Sequence, residues 1–305
     1  MKSKIIVIGS SNMDMVLKSK HIPKPGETVL GGTFFMNPGG KGANQAVAVS
    51  RLGGDVTLVS KIGNDIFGKQ SSNIFKEEGI DISGIFADEN TPSGIALIIV
   101  DENGENSIAV APGANSCLEP ANVKSILDQD PYCQIILLQL EIPIETVEYS
   151  LTYAKSKNIL TVLNPAPMNL SILPLLKYID IITPNTHEAE ALANCTITDI
   201  ESAKKAAQKI RDMGVKTVII TMGKEGAILL DENTLSHIAA PIVEAIDTTA
   251  AGDVFNGALV VALSEGRSKP EAVKFACRCA SMAVTKLGAQ SSIPHRNEVI
   301  LTYLE

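Results

Sequence analysis

Aromatic residues make up only 4% of the 305-residue chain, and positive charge is in deficit: 26 Lys and Arg stand against 34 Asp and Glu, a net charge of −8. Few rings leave little for bases to stack on, and an acidic chain lacks the basic footprint of a nucleic-acid binder. No apolar run approaches the roughly 18 residues of a membrane-spanning helix. The stretch Ile5 to Ile8 after Met1-Lys2-Ser3-Lys4 is too short for a signal-peptide core and has no small-residue cleavage site. It reads as a first buried strand, and the protein as cytoplasmic and free of membrane. Cysteines are few and scattered: Cys117, Cys133, Cys195, Cys277 and Cys279. Their odd number, and a Cys277-Arg278-Cys279 spacing with no histidine nearby, favour reduced thiols over a disulfide frame or a metal site.

Common chemical signatures are missing too. Gly40-Lys41 is followed by Gly42, Gly68-Lys69 by Gln70 and Gly223-Lys224 by Glu225, so no GxxxxGK(S/T) phosphate loop occurs. The first strand leads into Gly9-Ser10-Ser11-Asn12-Met13-Asp14 rather than GxGxxG. P-loop NTPases and standard dinucleotide enzymes are thereby disfavoured. Without HExxH or GxSxG, zinc proteases and α/β-hydrolases lack support. None of His21, His187, His237 and His295 adjoins a nucleophile or a metal cluster, so all four read as surface or structural.

What is present is ordinary globular composition, 45% hydrophobic and 20% charged, in a length that suits one large domain or two unequal parts. Short β-branched runs recur at Ile5–Ile8, Val56–Ser60, Ile135–Leu138, Ile159–Leu163, Ile179–Thr183 and Thr217–Thr221. Helical patterns such as Glu145–Lys157, Ile200–Met213 and Pro270–Leu287 lie between or after them. That alternation predicts a three-layer αβα fold, a doubly wound and mostly parallel sheet whose ligands bind at the strands' carboxyl ends. Two stretches break the rhythm: Met15–Asn37, which has no helix, and the pair Ile95–Asp101 and Ser107–Pro112 around a hairpin-type turn at Glu102 to Glu105. They predict a small antiparallel sheet serving as a lid, a dimer surface or both. The expected division is residues 1–13, 38–91 and 113–305 for the main domain, and 14–37 and 92–112 for the lid.

The densest motif is Asn37-Pro38-Gly39-Gly40-Lys41-Gly42-Ala43-Asn44-Gln45-Ala46, a glycine-rich turn opening an amphipathic helix, Ala43 to Leu52. Its glycines could bring backbone N–H groups close to a ligand, and Asn44 could both donate to and accept from hydroxyls. The alternative is a tight, capped loop. A second motif is Asp247-Thr248-Thr249-Ala250-Ala251-Gly252-Asp253-Val254-Phe255-Asn256-Gly257. Small residues at 250–252 suit a helix start that binds an anion, and Asp253 could accept a proton from a hydroxyl attacking a phosphoryl group. The alternative for Asp253 is a carboxylate complementing the helix dipole. Asn185 and Glu188, after strand Ile179–Thr183, could reach a hydrated Mg²⁺ or simply cap a helix. Thr221 to Gly226 could support an adenine nucleotide or simply turn a hairpin. Asp14 and Glu141, each at a strand's carboxyl end, suit sugar hydroxyls, though each alone is equally a solvated charge.

Asn12-Met13-Asp14, the Gly39–Asn44 loop, the Asp247–Asp253 segment and the closing Gly288-Ala289-Gln290-Ser291-Ser292-Ile293-Pro294 together resemble the PfkB family of carbohydrate kinases, in order and over nearly the whole chain. The resemblance implies ATP-dependent phosphorylation of the ribose 5-hydroxyl by a homodimer joined through its lids. It implies Asp253 as base, with Ala250, Ala251 and Gly252 as the anion hole. Asn12, Met13, Asp14, Gly40, Lys41, Gly42, Ala43, Asn44, Glu141 and Asp253 would meet the sugar. Asn185, Thr221, Met222, Gly223, Lys224, Glu225, Gly226, Gly252, Asp253 and Cys277 would meet the nucleotide. Glu188 would be linked to Mg²⁺, and Asp247, Thr249, Ala283, Lys286, Gly288 and Ser292 would surround a monovalent cation, K⁺. Two departures stand out: the family usually has Gly where Ala250 stands, and Cys277 replaces a His found near the adenine in some members. A sister kinase acting on 2-deoxyribose, fructose or a nucleoside is the alternative. A non-catalytic sugar-binding regulator is disfavoured by the intact Asp253 motif.

Overall fold

A computed structural model of the protein describes residues 4–232 and 234–301; the extreme ends of the expected main domain lie outside the described residues. In chain order the elements are β1 (Lys4–Ile8), β2 (Asn12–Lys18), β3 (Thr33–Gly39), α1 (Lys41–Arg51), β4 (Asp55–Gly63), α2 (Ile66–Glu77), β5 (Ile85–Asp88), β6 (Gly94–Val100) and β7 (Asn106–Ala111). There follow α3 (Pro120–Leu127), β8 (Cys133–Leu138), α4 (Ile144–Lys157), β9 (Leu160–Leu163), β10 (Ile181–Ile182), α5 (Thr186–Ala193) and α6 (Ile200–Asp212). The chain then runs through β11 (Thr217–Thr221), β12 (Ala227–Leu230), β13 (Leu235–Ile238), α7 (Ala251–Ser264), α8 (Lys269–Ala283) and α9 (Arg296–Leu301).

The main sheet has nine strands in the order β13-β12-β11-β10-β9-β8-β1-β4-β5. Pairing is parallel from β11 to β5 and antiparallel at the β11–β12–β13 edge. Alternation within β1 builds the layers. Ile5 and Val7 join one apolar cluster with α1, α7 and α8, while Ile6 and Ile8 join another with α3, α4, α5 and α6. A strand covered on both faces must be apolar at every position, which is why β1 is an unbroken Ile-Ile-Val-Ile run. Each such side chain, fully buried, contributes about 1.5–3 kcal/mol.

Polar residues replace apolar ones where the strands end. Gln139 after β8, Asn164 after β9 and Thr183 after β10 are all buried, so this edge is dense in polar groups. The helix α8 stops at Ala283, short of the Leu287 its pattern suggests, and the following Val284 carbonyl accepts the N–H groups of Ile246 (2.7 Å) and Asp247 (3.1 Å). The chain turns there to pin the loop that leads into α7.

A second, four-stranded sheet is ordered β3-β2-β6-β7. Its outer pairs are antiparallel, and its central pair, β2 with β6, is parallel because both strands leave the main domain in the same direction. Register puts Met15, Leu17, Phe34, Met36, Leu97 and Ile99 on one face, with Phe34 57% exposed and Leu97 49% exposed. The other face carries Asp14, Asn37, Ala96 and Val110 in a row.

The start of α1 is seated by contact between two glycines. A Cβ on Gly42 would lie 2.6 Å from both the Gly9 carbonyl carbon and the Ser10 nitrogen, closer than such atoms approach. Gly42→Ala is therefore expected to destabilise the protein by about 1–3 kcal/mol in urea denaturation. A loss under about 0.5 kcal/mol would mean that α1 shifts freely, against this account.

Candidate active site

A cavity of about 220 Å³ opens at the carboxyl edge of the sheet, lined among others by Lys41, Asn185, Glu188, Thr221 and the Ala250–Asp253 run. The two main motifs, remote in sequence, meet because α1 and α7 pack side by side on the same sheet face. Asn44 Nδ2 donates to Asp253 Oδ2 and Gln45 Nε2 to Asp253 Oδ1, both at 3.0 Å. The Asp253 side chain is only 6% exposed. Burial pushes its carboxyl up, while the Lys41 ammonium and the Asn44 and Gln45 amides pull it back.

Lys41 sits at the head of α1. Burial alone would lower its pKa, but the carboxylates of Asp253, Glu141, Glu188 and Asp14 outweigh that and hold the ammonium above its ordinary range. Glu141 is tied to the same turn, its Oε2 accepting from Ser10 Oγ (2.6 Å) and from the Lys41 N–H (3.1 Å). Gly40 lies at φ 88°, a left-handed conformation that favours glycine.

At the head of α7, Ala250 adopts φ 61°, ψ 6°. A left-handed alanine costs about 1 kcal/mol, an expense met more often at functional turns than elsewhere. The Ala251 N–H donates to Thr248 O at 3.2 Å, and Val254 begins the helical ladder by donating to Ala250 O at 2.9 Å. The amides between them, on Gly252 and Asp253, occupy helix positions that have no carbonyl one turn back. Open space faces Gly252, where an added Cβ would meet nothing. The amides of Gly252 and Asp253 thus have no intrahelical carbonyl to bond, within and next to the 250–252 run expected to meet an anion.

The remaining expected residues are placed as follows. Asn12 is buried at the root of the lid, its Oδ1 accepting from Asn115 Nδ2 at 2.8 Å. Asp14 faces the site from β2; burial first, then the charges of Glu141 and Asp253, push its carboxyl up to about 6 against the pull of Lys41. Met13 and Ala43 are buried in the core, so their side chains offer no contact surface. Asn185 and Glu188 form a reciprocal helix cap, Glu188 N–H to Asn185 Oδ1 at 2.9 Å and Asn185 N–H to Glu188 Oε2 at 2.8 Å. Glu188 nevertheless lines the cavity, with burial raising its carboxyl against the Asn185 N–H and Lys41. Thr221 also lines the cavity, and Gly223–Glu225 form a turn closed by Met222 N–H to Gly226 O at 2.8 Å. Cys277 is 4% exposed within the α8 core face, its thiol pushed up to about 12 by burial; it does not line the cavity.

Asp247 bridges two loops, accepting from Thr249 N–H (2.9 Å) and Gly288 N–H (2.8 Å). Burial opposes its charge, yet Thr249 and the Gly288 amide hold it below the usual carboxylate range. Lys286 pairs with Glu298 at 2.9 Å and Ser292 Oγ donates to Ala289 O at 2.8 Å, so both side chains are engaged away from Asp247. One carboxylate among carbonyl oxygens is a donor set that fits a weakly hydrated monovalent cation. Among the described residues no three His, Cys, Asp or Glu side chains gather into a metal cage.

Reading the sequence missed the supporting shell. Gln45, Gln139, Asn164 and Gln290 reach Asp253 or its partners, Thr183 Oγ1 donates to Asn256 Oδ1 at 2.6 Å, and Asn115 ties Ser11, Asn12 and Pro112 together. Isolated amides at strand ends carry little signal; Gln45, next to Asn44, was the one within reach.

A buried carboxylate, an ammonium ringed by carboxylates and free helix-start amides at the carboxyl edge of a doubly wound sheet define a phosphoryl-transfer class of site. Residues 2–296 match the pfkB family carbohydrate kinase family, and the chain belongs to that family. It is similar to the ribokinase of Haemophilus influenzae, 45% identical over 305 residues and covering 100% of this chain and 99% of that one. It also resembles the crystal structure of ribokinase from Thermotoga maritima, with TM-score 0.89, 41% identity and 100% coverage of both chains. The structure of Arabidopsis thaliana ribokinase complexed with ribose and ATP matches with TM-score 0.90 and 30% identity, over 99% of this chain and 98% of that one.

Asp14 yields a prediction about stability. In the folded protein its carboxyl titrates at about 6, above the ordinary 3.8 of an exposed aspartate, so ionisation works against folding. That penalty is absent below about pH 4, grows between the two values and is complete above pH 6. Asp14→Asn should therefore be more stable than the parent at pH 7.5, by about 1–3 kcal/mol, with the difference closing as pH falls towards 4. Urea denaturation across that range checks it, and a difference independent of pH would refute the assignment.

Proposed function

We propose that the protein is a ribokinase, transferring the γ-phosphoryl group of ATP to the 5-hydroxyl of D-ribose. The observation that carries the reading is the placement of the Asp253 carboxylate beside the Gly252 and Asp253 amides at the head of α7, on a chain whose relatives include ribokinases across their full length. Asp14, Asn44, Glu141 and Lys41 hold the sugar by its hydroxyls, and the Gly39–Gly42 backbone closes around it. Ala96 and Val110, on the face that carries Asp14, give the sugar an apolar wall. Asp253 takes the proton of the attacking hydroxyl as the new O–P bond forms and the bond from the γ-phosphorus to the β–γ bridging oxygen breaks, releasing ADP. The Gly252 and Asp253 amides meet the charge on the transferring group. Lys41, held charged by its carboxylate neighbours, faces the same phosphoryl oxygens.

Asn185 and the Thr221–Gly226 turn serve the nucleotide. Glu188 would hold a hydrated Mg²⁺, which when bound neutralises charge on the phosphates. Asp247 with the carbonyls of Thr249, Ala283, Lys286, Gly288 and Ser292 would hold K⁺, fixing the loop that positions Ala250 and the amides after it. The exposed apolar face of the small sheet supports a homodimer joined through the lids. The reading takes residues 14–37 and 92–112 as the lid and the rest as the main domain, and it includes action in the cytoplasm, in keeping with five unpaired thiols.

The test is ATP turnover against ribose, 2-deoxyribose, fructose and adenosine, with Mg²⁺ and with K⁺ or Na⁺. Saturable, K⁺-dependent turnover with ribose is expected; full activity in Na⁺ would remove the cation site, and turnover confined to another sugar would remove the substrate assignment. Asp253→Asn should lower kcat by at least about 100-fold while ribose affinity stays within a few-fold, because the amide still hydrogen-bonds but takes no proton. Near-normal turnover would refute Asp253 as base.

A further inference from the structure

On the reading that Asp253 is the base, we propose that Gln45 is a positioning residue that fixes the second oxygen of this carboxylate, and that Gln139 sets the orientation of Gln45. Asn44 holds Oδ2, and Gln45 holds Oδ1, each at 3.0 Å. A carboxylate only accepts, so Gln45 must present its NH₂, which aims its Oε1 the other way. There Gln139 Nε2 donates to it at 2.6 Å. The Gln45 NH₂ is further held by Asn164 Oδ1 at 3.2 Å, and Asn164 by donating to Thr183 O at 3.3 Å. The other side repeats the arrangement, with Gln290 Nε2 donating to Asn44 Oδ1 at 3.2 Å. Each amide that touches the base is thus oriented by a second amide.

The position of Gln139 argues for function over packing. Among the described residues its Oε1 is buried with no hydrogen-bond partner, and it fits beside Gly9 because Gly9 has no side chain: a Cβ there would lie 2.0 Å from that oxygen. An apolar residue would fill the space without an orphaned carbonyl. What the glutamine supplies and an apolar residue cannot is the N–H that aims Gln45. The charged groups facing Asp253 are Lys41 from α1, Glu141 after β8, Asp14 from β2 and Glu188 from α5. Lys41 favours the ionised base and the three carboxylates oppose it, so loss of a neutral donor should make Asp253 easier to protonate.

The test compares Gln45→Met, Gln139→Met and Asp253→Asn in steady-state kinetics with ATP and ribose over about pH 5–9. Gln45→Met should lower kcat by about ten-fold or more, leave KM for ribose within about three-fold, and move the acidic limb of kcat upward by about half a pH unit or more. Gln139→Met should do the same in smaller measure with little change in Tm, and it decides the matter alone if Gln45→Met does not fold. Wild-type kcat and acidic limb in Gln139→Met, or a fall in Tm with an unmoved limb, would overturn the proposal. If Asp253→Asn is inactive while both glutamine variants behave as wild type, only the positioning role fails. If Asp253→Asn retains turnover, the base assignment fails and the proposal with it.

Discussion

The Asp253 carboxyl is buried, and the rest of the site is arranged around that fact. A carboxylate removed from water neutralises unless nearby dipoles and charges hold it ionised. Here the compensation comes from two side-chain amides and one ammonium, the latter itself kept charged by surrounding carboxylates. The groups depend on one another: Asp14 and Glu141 raise the affinity of the site for the Lys41 charge and at the same time repel Asp253. On the proposed reading, a sugar whose hydroxyls donate to Asp14 and Glu141 would relieve that repulsion and so couple binding to the state of Asp253.

Much of the framework was legible in the sequence because it rests on local rules. A strand buried on both faces must be continuously apolar, and Ile5–Ile8 is. A glycine-rich turn before an amphipathic run must open a helix, and α1 starts at Lys41. Asn185 and Glu188 could be read as a cap, and they are one, although Glu188 also faces the cavity. What stayed hidden depends on tertiary neighbours. Gln139 and Asn164 follow two separate strands and Gln290 opens a short 3-10 turn, and their local sequence does not say that they converge on α1 and α7. The left-handed turn at Ala250 and the bond from the Ala251 N–H to Thr248 O were equally invisible, since both depend on how the loop before α7 is held. The parallel pairing of β2 with β6 was hidden too, because alternation within a strand does not reveal the direction of its neighbour.

The lid is rooted in the same polar edge. Asn115 holds the Ser11 N–H and carbonyl and the Asn12 side chain, and Gly94 packs so tightly that an added Cβ would lie 2.2 Å from Asn12 Oδ1 and 2.3 Å from Asn115 Nδ2. Close packing at the roots leaves little room for movement there, and Asp14, two residues past Asn12, sits just beyond this tightly packed root.

The position of β1 in the sheet has a consequence for biogenesis. It pairs with β4 on one side and β8 on the other, so this early strand lies deep inside the finished sheet. Its second neighbour ends at Leu138, and until that segment has emerged Ile5–Ile8 carries an unpaired edge. Such non-local pairing slows folding and exposes an apolar segment to wrong partners. Nascent chains stalled before β8 should accordingly be clients of chaperones that bind short aliphatic runs, and those stalled well beyond it should not.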